Sequence, residues 1–129
     1  MSEKVNVSLS GKSHQYNINI SNNLIKDCGL WAKENLPKSA KKIAIISNPK
    51  VFSLYGEIAV ESLKNAGFHV SVWKMGDGER FKSLRSLENA LKFFSESGLT
   101  RSDAVVALGG GVVGDLAGFA SSIYLRGIA

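Results

Sequence analysis

The stretch that most constrains the fold runs from Ala104 to Arg126 and reads AVVALGGGVVGDLAGFASSIYLR. Five apolar residues lead into three consecutive glycines, and small and apolar residues then continue without a breaker as far as Gly127. This pattern predicts a buried strand, a tight turn and a buried helix that ends at Arg126. Glycines at such a turn allow positive φ and close approach of a ligand. The unpaired N–H groups of the following helix suit a phosphate.

The glycines match the spacing of a known nucleotide-binding motif. Gly109, Gly111 and Gly114 fit G-x-G-x-x-G, the pattern that follows a strand and opens a helix in dinucleotide-binding domains. That motif normally lies in the first strand–helix unit, and an acidic residue follows about 20 positions later. Here it lies in the last unit. The residues alone therefore leave two interpretations open: a phosphate-binding turn, or a glycine turn needed only for packing.

The rest of the chain alternates strand and helix patterns. Apolar and polar residues alternate at 5–9 and 16–20, which predicts a β-hairpin of half-buried strands joined by a turn at 10–13. The order that follows predicts an α/β fold, a Rossmann-like parallel sheet with helices on both faces. The predicted strands are residues 43–46, 68–75 and 104–108, and the predicted helices are residues 24–36, 51–66, 84–97 and the segment after the glycines.

Composition narrows the class of protein. A length of 129 residues and 44% hydrophobic content indicate one domain with a core, and a net charge of +5 suits anionic partners such as phosphorylated metabolites or nucleotides. Lys and Arg are scattered rather than arranged in a stripe with aromatics, so we predict no nucleic-acid partner. The single cysteine, Cys28, fits a reducing compartment. No apolar run suits a membrane helix or a signal peptide, so we expect a cytoplasmic protein without a membrane partner.

Three loops at the carboxyl ends of the predicted strands could hold a ligand. The first contains Asn48, which could bond a ribose hydroxyl or be a turn residue. In the second, residues 77–82, Glu79 and Lys82 could bind polar ligand groups or be part of a solvated loop. The third is the glycine turn, after which Asp115 is expected in the first helical turn, partly buried, as a ligand-facing group or a dipole-stabilised charge. Two separated histidines and one cysteine give no metal site.

Two motifs resemble those of one enzyme family. Residues 109–120, GGGVVGDLAGFA, followed by YLRG at 124–127, resemble the glycine-rich signature of 3-dehydroquinate synthase. Residues 77–83, DGERFKS, resemble the G-E-x-x-K-S loop that precedes it in the family. The resemblance covers the whole chain but only the N-terminal part of the family's pattern. It implies conversion of 3-deoxy-arabino-heptulosonate 7-phosphate to 3-dehydroquinate with loss of phosphate, in the shikimate pathway, using NAD and a divalent metal, zinc or cobalt.

The resemblance also implies roles for individual residues. Asn48 falls where the family contacts a ribose, and Arg126 matches an arginine associated with the phosphorylated keto-acid substrate. The further cofactor contacts that it implies are Asp77, Gly78, Glu79, Arg80, Phe81, Lys82, Gly110, Gly111, Val112, Val113, Gly114 and Asp115.

The same resemblance implies a domain organisation. Residues 1–129 would be the NAD-binding N-terminal domain of a longer, homodimeric enzyme. The catalytic lysines and the Glu and two His metal ligands would lie in a helical C-terminal domain that this chain lacks, so the chain alone would be inactive. The alternatives are a non-catalytic nucleotide-binding module, another sugar-phosphate cyclase and, on bulk charge alone, a nucleic-acid binder.

Overall fold

The computed structural model describes residues 2–11 and 14–129. It contains an antiparallel hairpin, a three-stranded parallel sheet and helices on both faces of that sheet, so the predicted fold class is confirmed. Part of the predicted hairpin turn, Lys12 and Ser13, lies outside the described residues. The strands are β1 (Glu3–Leu9), β2 (His14–Ile20), β3 (Lys42–Ser47), β4 (His69–Lys74) and β5 (Ala104–Ala107).

The helices follow the predicted order, with two changes of local geometry. The α-helices are α1 (Cys28–Asn35), α2 (Pro49–Val51), α3 (Glu57–Asn65), α4 (Leu84–Glu96) and α5 (Gly111–Ile123). A 3₁₀ turn, Leu24–Asp27, leads into α1, and a π-helical segment, Phe52–Gly56, joins α2 to α3. Gly56 ends this segment and leaves room for the ring of Phe52, because a Cβ there would lie 2.4 Å from that ring.

Strand β3 is the centre of the sheet, which has the order β4-β3-β5 with all three strands parallel. Its apolar run is fully buried because both faces of the sheet are covered. Alternate residues face opposite sides: Ile43 and Ile45 pack with α1 and α3, while Ala44 and Ile46 pack with α4 and α5. The uninterrupted hydrophobic pattern of this strand is therefore explained by two separate cores.

A buried carboxylate joins the amino ends of β3 and β5. Asp103 is only 4% exposed. Its Oδ1 accepts hydrogen bonds from the backbone N–H groups of Lys41 at 3.1 Å and Lys42 at 2.9 Å. Its Oδ2 accepts bonds from the N–H group of Thr100 at 2.9 Å and from its hydroxyl at 3.1 Å. Burial raises the pKa of Asp103, but these four bonds favour the ionised form more strongly and hold the pKa below its ordinary value.

Helix α5 ends at Ile123, so the prediction that it continues to Arg126 is wrong. Leu125 and Arg126 have φ values of +47° and +68°, in the left-handed region, and they belong to a short 3₁₀ turn. Non-glycine residues adopt such angles rarely, and neither residue type signals the change in advance. Arg126 is therefore a residue of a tight turn rather than the last residue of the helix.

Packing after α5 explains this turn. The hydroxyl of Tyr124 donates to the carbonyl of Leu99 at 2.9 Å, and its ring meets Phe94 edge-on, 5.4 Å away. Further along, the N–H group of Ile128 donates to the carbonyl of Ser121. These contacts fold the chain back beside α5 and the edge of β5, which a continued helix would prevent.

Candidate functional site

A small cleft lies at the carboxyl edge of the parallel sheet, where the loops after β3, β4 and β5 meet. Its volume is about 150 Å³. The three loops come together because parallel strands end at the same edge of a sheet, which is where α/β proteins bind ligands. The residues that line the cleft are Asn48, Gly76, Asp77, Gly78, Gly110, Gly111, Val112 and Val113.

The three consecutive glycines serve different purposes. A Cβ at Gly109 would lie 2.7 Å from a methyl carbon of Val113, so this glycine is required by packing inside the protein. A Cβ at Gly110 or Gly111 would meet no protein atom within 4 Å. Neither residue has a positive φ that would require glycine. The protein's own packing thus explains the first glycine, whereas the other two leave open space at the cleft that a ligand can occupy.

The cleft also receives the amino end of α5. The N–H group of Gly114 donates to the carbonyl of Gly110 at 3.0 Å, which is the first hydrogen bond of the helix. The N–H groups of Gly111, Val112 and Val113 precede that bond and have no partner within the helix. Together with the positive end of the helix dipole, three such donors favour an anionic group such as a phosphate.

Asn48 caps the helix that follows β3. Its side-chain oxygen accepts a bond from the N–H group of Val51 at 2.8 Å, and the residue is 8% exposed. The preceding residue, Ser47, donates its hydroxyl to the carbonyl of Leu108 at 2.7 Å and so ties this loop to the end of β5. Since the cap uses the oxygen of Asn48, the amide N–H groups are what this side chain can offer to a ligand.

The loop after β4 is shaped by two glycines and one aromatic ring. Gly78 has φ of +108° and begins a 3₁₀ turn over Glu79–Phe81. A Cβ at Gly76 would lie 2.3 Å from the ring of Phe81, so the absent side chain lets the ring pack beneath the loop. The guanidinium of Arg80 lies 4.7 Å from the same ring. Phe81 and Arg80 therefore shape the loop instead of lining the cleft.

Lys82 links this loop to α5 through two ion pairs. Its Nζ lies 2.8 Å from a carboxylate oxygen of Asp115 and 3.2 Å from one of Glu79. The hydrogen bond with Asp115, followed by that with Glu79, raises the pKa of Lys82 above its ordinary value. All three side chains are substantially exposed, so these ion pairs position the groups more than they stabilise the fold.

The expected burial of Asp115 is wrong. Its side chain is 61% exposed, and it lies beyond the first turn of α5. The buried face of the helix consists of residues such as Val113, Leu116 and Ala117, and Asp115 falls outside that stripe. Its charge has the partner that the sequence argument required, but that partner, Lys82, neutralises it at the surface.

The structure divides the predicted site residues into two groups. Seven of them line the cleft: Asn48, Asp77, Gly78, Gly110, Gly111, Val112 and Val113. Gly76 also lines it and was not among the predicted contacts, although its position at the end of a strand was a usable signal. The predicted residues outside the lining are Glu79, Arg80, Phe81, Lys82, Gly114, Asp115 and Arg126.

The described residues contain neither a cluster of metal-ligating side chains nor a membrane-spanning helix. Within residues 2–11 and 14–129, no group of three or more His, Cys, Asp and Glu side chains is placed to hold a metal ion. None of the helices in that part of the chain has the length and apolar character needed to span a membrane.

Comparison with solved structures places this fold among the sugar-phosphate cyclases. The crystal structure of 2-deoxy-scyllo-inosose synthase aligns with 98% of this chain and 34% of its own, with a TM-score of 0.83 and 23% identity. A second structure of that enzyme is a complex with carbaglucose-6-phosphate, NAD⁺ and Co²⁺. The 2-epi-5-epi-valiolone synthase of Streptomyces hygroscopicus, with NAD⁺ and Zn²⁺ bound, covers 93% of this chain and 32% of its own, with a TM-score of 0.74 and 26% identity.

Sequence comparison is more specific. A family model described as 3-dehydroquinate synthase N-terminal matches residues 72–129. The 3-dehydroquinate synthase of Lactococcus lactis subsp. cremoris is 44% identical over 97% of this chain, and that of Pelotomaculum thermopropionicum is 47% identical over 98%. This chain spans about a third of the length of these relatives, 34% and 33% respectively. The resemblance of the chain to the N-terminal part of 3-dehydroquinate synthase is confirmed.

Proposed function

We propose that this chain is the NAD-binding part of a 3-dehydroquinate synthase, an enzyme that converts 3-deoxy-arabino-heptulosonate 7-phosphate to 3-dehydroquinate and releases phosphate. The observation that carries the proposal is the cleft at the carboxyl edge of the sheet. There, two glycines that packing does not require adjoin three N–H groups with no partner in the helix. The names of the relatives and the NAD⁺ in the cyclase structures support it.

Each part of the cleft suits one part of the cofactor. The N–H groups of Gly111, Val112 and Val113 would bind the diphosphate. The carboxylate of Asp77 would accept hydrogen bonds from a ribose, and the amide of Asn48 would donate to one. A cleft of about 150 Å³ is smaller than a typical ligand pocket of roughly 300–1,000 Å³, so it would enclose only the middle of the dinucleotide.

The charged residues beside the cleft would hold the outer part of the cofactor. Lys82 is positioned by Asp115 and Glu79, which keeps its ammonium group near the start of α5. NAD, when bound, supplies a reversible hydride acceptor. The chain's own contribution is to bind and orient it, and to leave Arg126 on the exposed turn after α5, where we propose that it contacts the phosphorylated keto acid.

We assign metal binding and the completion of the active site to parts of the protein outside residues 1–129. We infer that residues 1–129 are one domain of a longer protein, because the relatives are about three times as long. The divalent metal, zinc or cobalt, would be held there, since the described residues offer no donor cluster. We also propose that the longer protein is a cytoplasmic homodimer, and that residues 1–129 alone release no phosphate from the substrate.

Isothermal titration of NAD into the wild-type chain and two glycine variants tests the proposal. Gly110→Ala adds a methyl group at the cleft and Gly118→Ala adds one on α5 away from it, and in both cases the methyl meets no protein atom. We expect Gly110→Ala to weaken NAD binding about ten-fold or more, because the methyl group would displace the diphosphate. Gly118→Ala should bind NAD as the wild-type chain does.

Three results would count against the proposal. Equal NAD affinity of the two variants would exclude the cleft as the cofactor site. A wild-type chain that does not bind millimolar NAD would show that these residues are not an NAD-binding unit. Tight binding of NAD by a longer form that also lacks phosphate-releasing activity would favour the non-catalytic nucleotide-binding module instead.

A further inference from the structure

A second cavity lies at the amino edge of the parallel sheet, at the opposite ends of the strands from the cleft described above. Two of its lining residues, Lys41 and Phe68, immediately precede β3 and β4, whereas the loops of the cleft follow those strands. Its volume is about 420 Å³, within the range of roughly 300–1,000 Å³ that is typical of small-molecule sites. We call it the amino-edge cavity, and no described residue lines both it and the cleft.

The ionisable side chains that line the amino-edge cavity are all lysines, namely Lys33, Lys38 and Lys41. The ion pairs in the described part of the chain involve other lysines, Lys82 and Lys92, so these three ammonium groups have no carboxylate partner there. Cations that line a concave surface raise the positive potential inside it, because the low-dielectric walls focus their field. The cavity therefore favours an anionic occupant.

Helix ends do not explain this cluster of lysines. Lys33 lies in the last turn of α1, where a cation interacts favourably with the negative end of the helix dipole. Lys38 and Lys41, by contrast, lie in the connection between α1 and β3, outside any helix. The helix dipole thus accounts for one of the three charges, and an anion bound among them would relieve their mutual repulsion.

The backbone that carries two of these lysines is fixed by hydrogen bonds. The N–H group of Ala40 donates to the carbonyl of Pro37 at 2.9 Å and closes the turn that contains Lys38. The N–H group of Lys41 donates to the buried carboxylate of Asp103 at 3.1 Å. Since the backbone is already in place, a ligand has to order only the lysine side chains, which lowers the entropic cost of binding.

The remainder of the lining is mostly apolar. Phe68 and Ala40 belong to the core between the sheet and the α1–α3 layer, and they are 8% and 9% exposed. Pro37 and Ala66 add further apolar surface. A ligand with a compact apolar body can cover this surface while its charged group meets the lysines, whereas an inorganic ion would leave the surface in contact with water.

We propose that the amino-edge cavity binds a small organic phosphate, a phosphate monoester on a compact apolar body. Such a group carries a charge of about −1.5 to −2 at neutral pH and three acceptor oxygens, which suits three lysines better than the single charge of a carboxylate does. A nucleic acid would require an extended basic stripe instead of three cations in a concave surface. The site is separate from the proposed cofactor site and does not depend on it.

NMR titration of phenyl phosphate into the isotope-labelled wild-type chain tests the site residue by residue. At a constant ionic strength of about 0.15 M, the amides of residues 38–41 and 66–68 should show saturable shifts with a Kd of about 1 mM. Inorganic phosphate should shift the same amides but bind about ten-fold more weakly, because it lacks the apolar body.

Two double variants of equal net charge separate the cavity from the bulk charge of the chain. Lys38→Gln/Lys41→Gln removes two charges from the lining, and Lys4→Gln/Lys92→Gln removes two that lie outside it. Lys4 lies on β1 of the hairpin, which is largely exposed, contrary to the predicted half-buried strands. The cavity variant should bind phenyl phosphate about ten-fold more weakly or worse, and the control should stay within about two-fold of wild type, because distant charges are screened.

Four outcomes would overturn the proposal. The first is the absence of saturable shifts in the wild type, and the second is shifts confined to residues 111–113, which would place the phosphate at the amino end of α5. The third is equal weakening in both double variants, which would show attraction to net charge alone. The fourth is equal affinity for phenyl phosphate and inorganic phosphate, which would exclude an organic phosphate as the specific ligand.

Discussion

Replacing the buried carboxylate of Asp103 tests how much its hydrogen bonds between β3 and β5 stabilise the sheet. Asp103→Asn keeps the shape of the side chain but replaces one oxygen with an NH₂ group. The remaining oxygen can still accept bonds from Lys41 and Lys42, whereas the NH₂ group faces the N–H donor of Thr100. The substitution therefore removes at least one hydrogen bond and turns charged bonds into neutral ones.

The size of the effect follows from those contacts. Hydrogen bonds to a charged group contribute about 1.5–3 kcal/mol each and neutral ones about 1 kcal/mol, so Asp103→Asn should lower the free energy of unfolding by about 3 kcal/mol at neutral pH. With a urea m-value of about 1.5 kcal/mol/M, the unfolding midpoint should fall by roughly 2 M. Asp27→Asn is the matched control, because Asp27 is exposed and its side chain forms no capping bond. The unfolding midpoint of this variant should stay close to that of the wild type.

The pH dependence has a definite sign. The folded pKa of Asp103 is lowered, so its stabilisation is present above the unfolded pKa of about 4 and disappears as pH falls through the folded pKa. The difference in the free energy of unfolding between wild type and Asp103→Asn should therefore be largest at neutral pH and should decrease on acidification. The assigned role of the Asp103 carboxylate would be refuted if the free energies of unfolding of wild type and Asp103→Asn differed by less than about 0.5 kcal/mol at pH 7. It would also be refuted if that difference were the same in acid as at neutral pH.

Two smaller predictions concern hydrogen bonds at helix ends. Ser83→Ala removes the hydroxyl that accepts from the N–H group of Ser86 at 3.2 Å at the start of α4, and thermal unfolding should show a loss of about 1 kcal/mol. Tyr124→Phe keeps the ring against Phe94 but leaves the carbonyl of Leu99 without its donor; chemical unfolding should show a loss of about 1 kcal/mol. An unchanged midpoint in either variant would contradict the corresponding bond.

Most of the architecture could be predicted because the signals were local and repeated. The apolar run of β3 and the helical spacing of α4 each specify one element, and the alternation of the elements specifies a parallel sheet. The meeting of three loops at one edge then follows from topology alone. This is why the sequence alone places Asn48, Asp77 and Gly110 near one another.

The incorrect predictions all depended on packing between distant residues. The exposure of Asp115 depends on which face of α5 meets the sheet, and its partner Lys82 lies on another loop. The early end of α5 depends on a hydrogen bond between Tyr124 and Leu99, 25 residues apart. Asp103 accepts hydrogen bonds from three backbone N–H groups and one hydroxyl. Nothing in the surrounding sequence distinguishes it from an ordinary turn residue.

The central position of β3 has a consequence for how the chain folds as it is synthesised. Ser47 bonds to Leu108, 61 residues later, and β5 is the last strand of the sheet. During synthesis from the N-terminus, the apolar residues of β3 would lack their second neighbouring strand until the whole segment between β3 and β5, including β4 and α4, has been made. The hairpin, by contrast, pairs residues close in sequence and can form early. We expect the nascent chain to be most prone to aggregation after β4 leaves the ribosome and before β5 does.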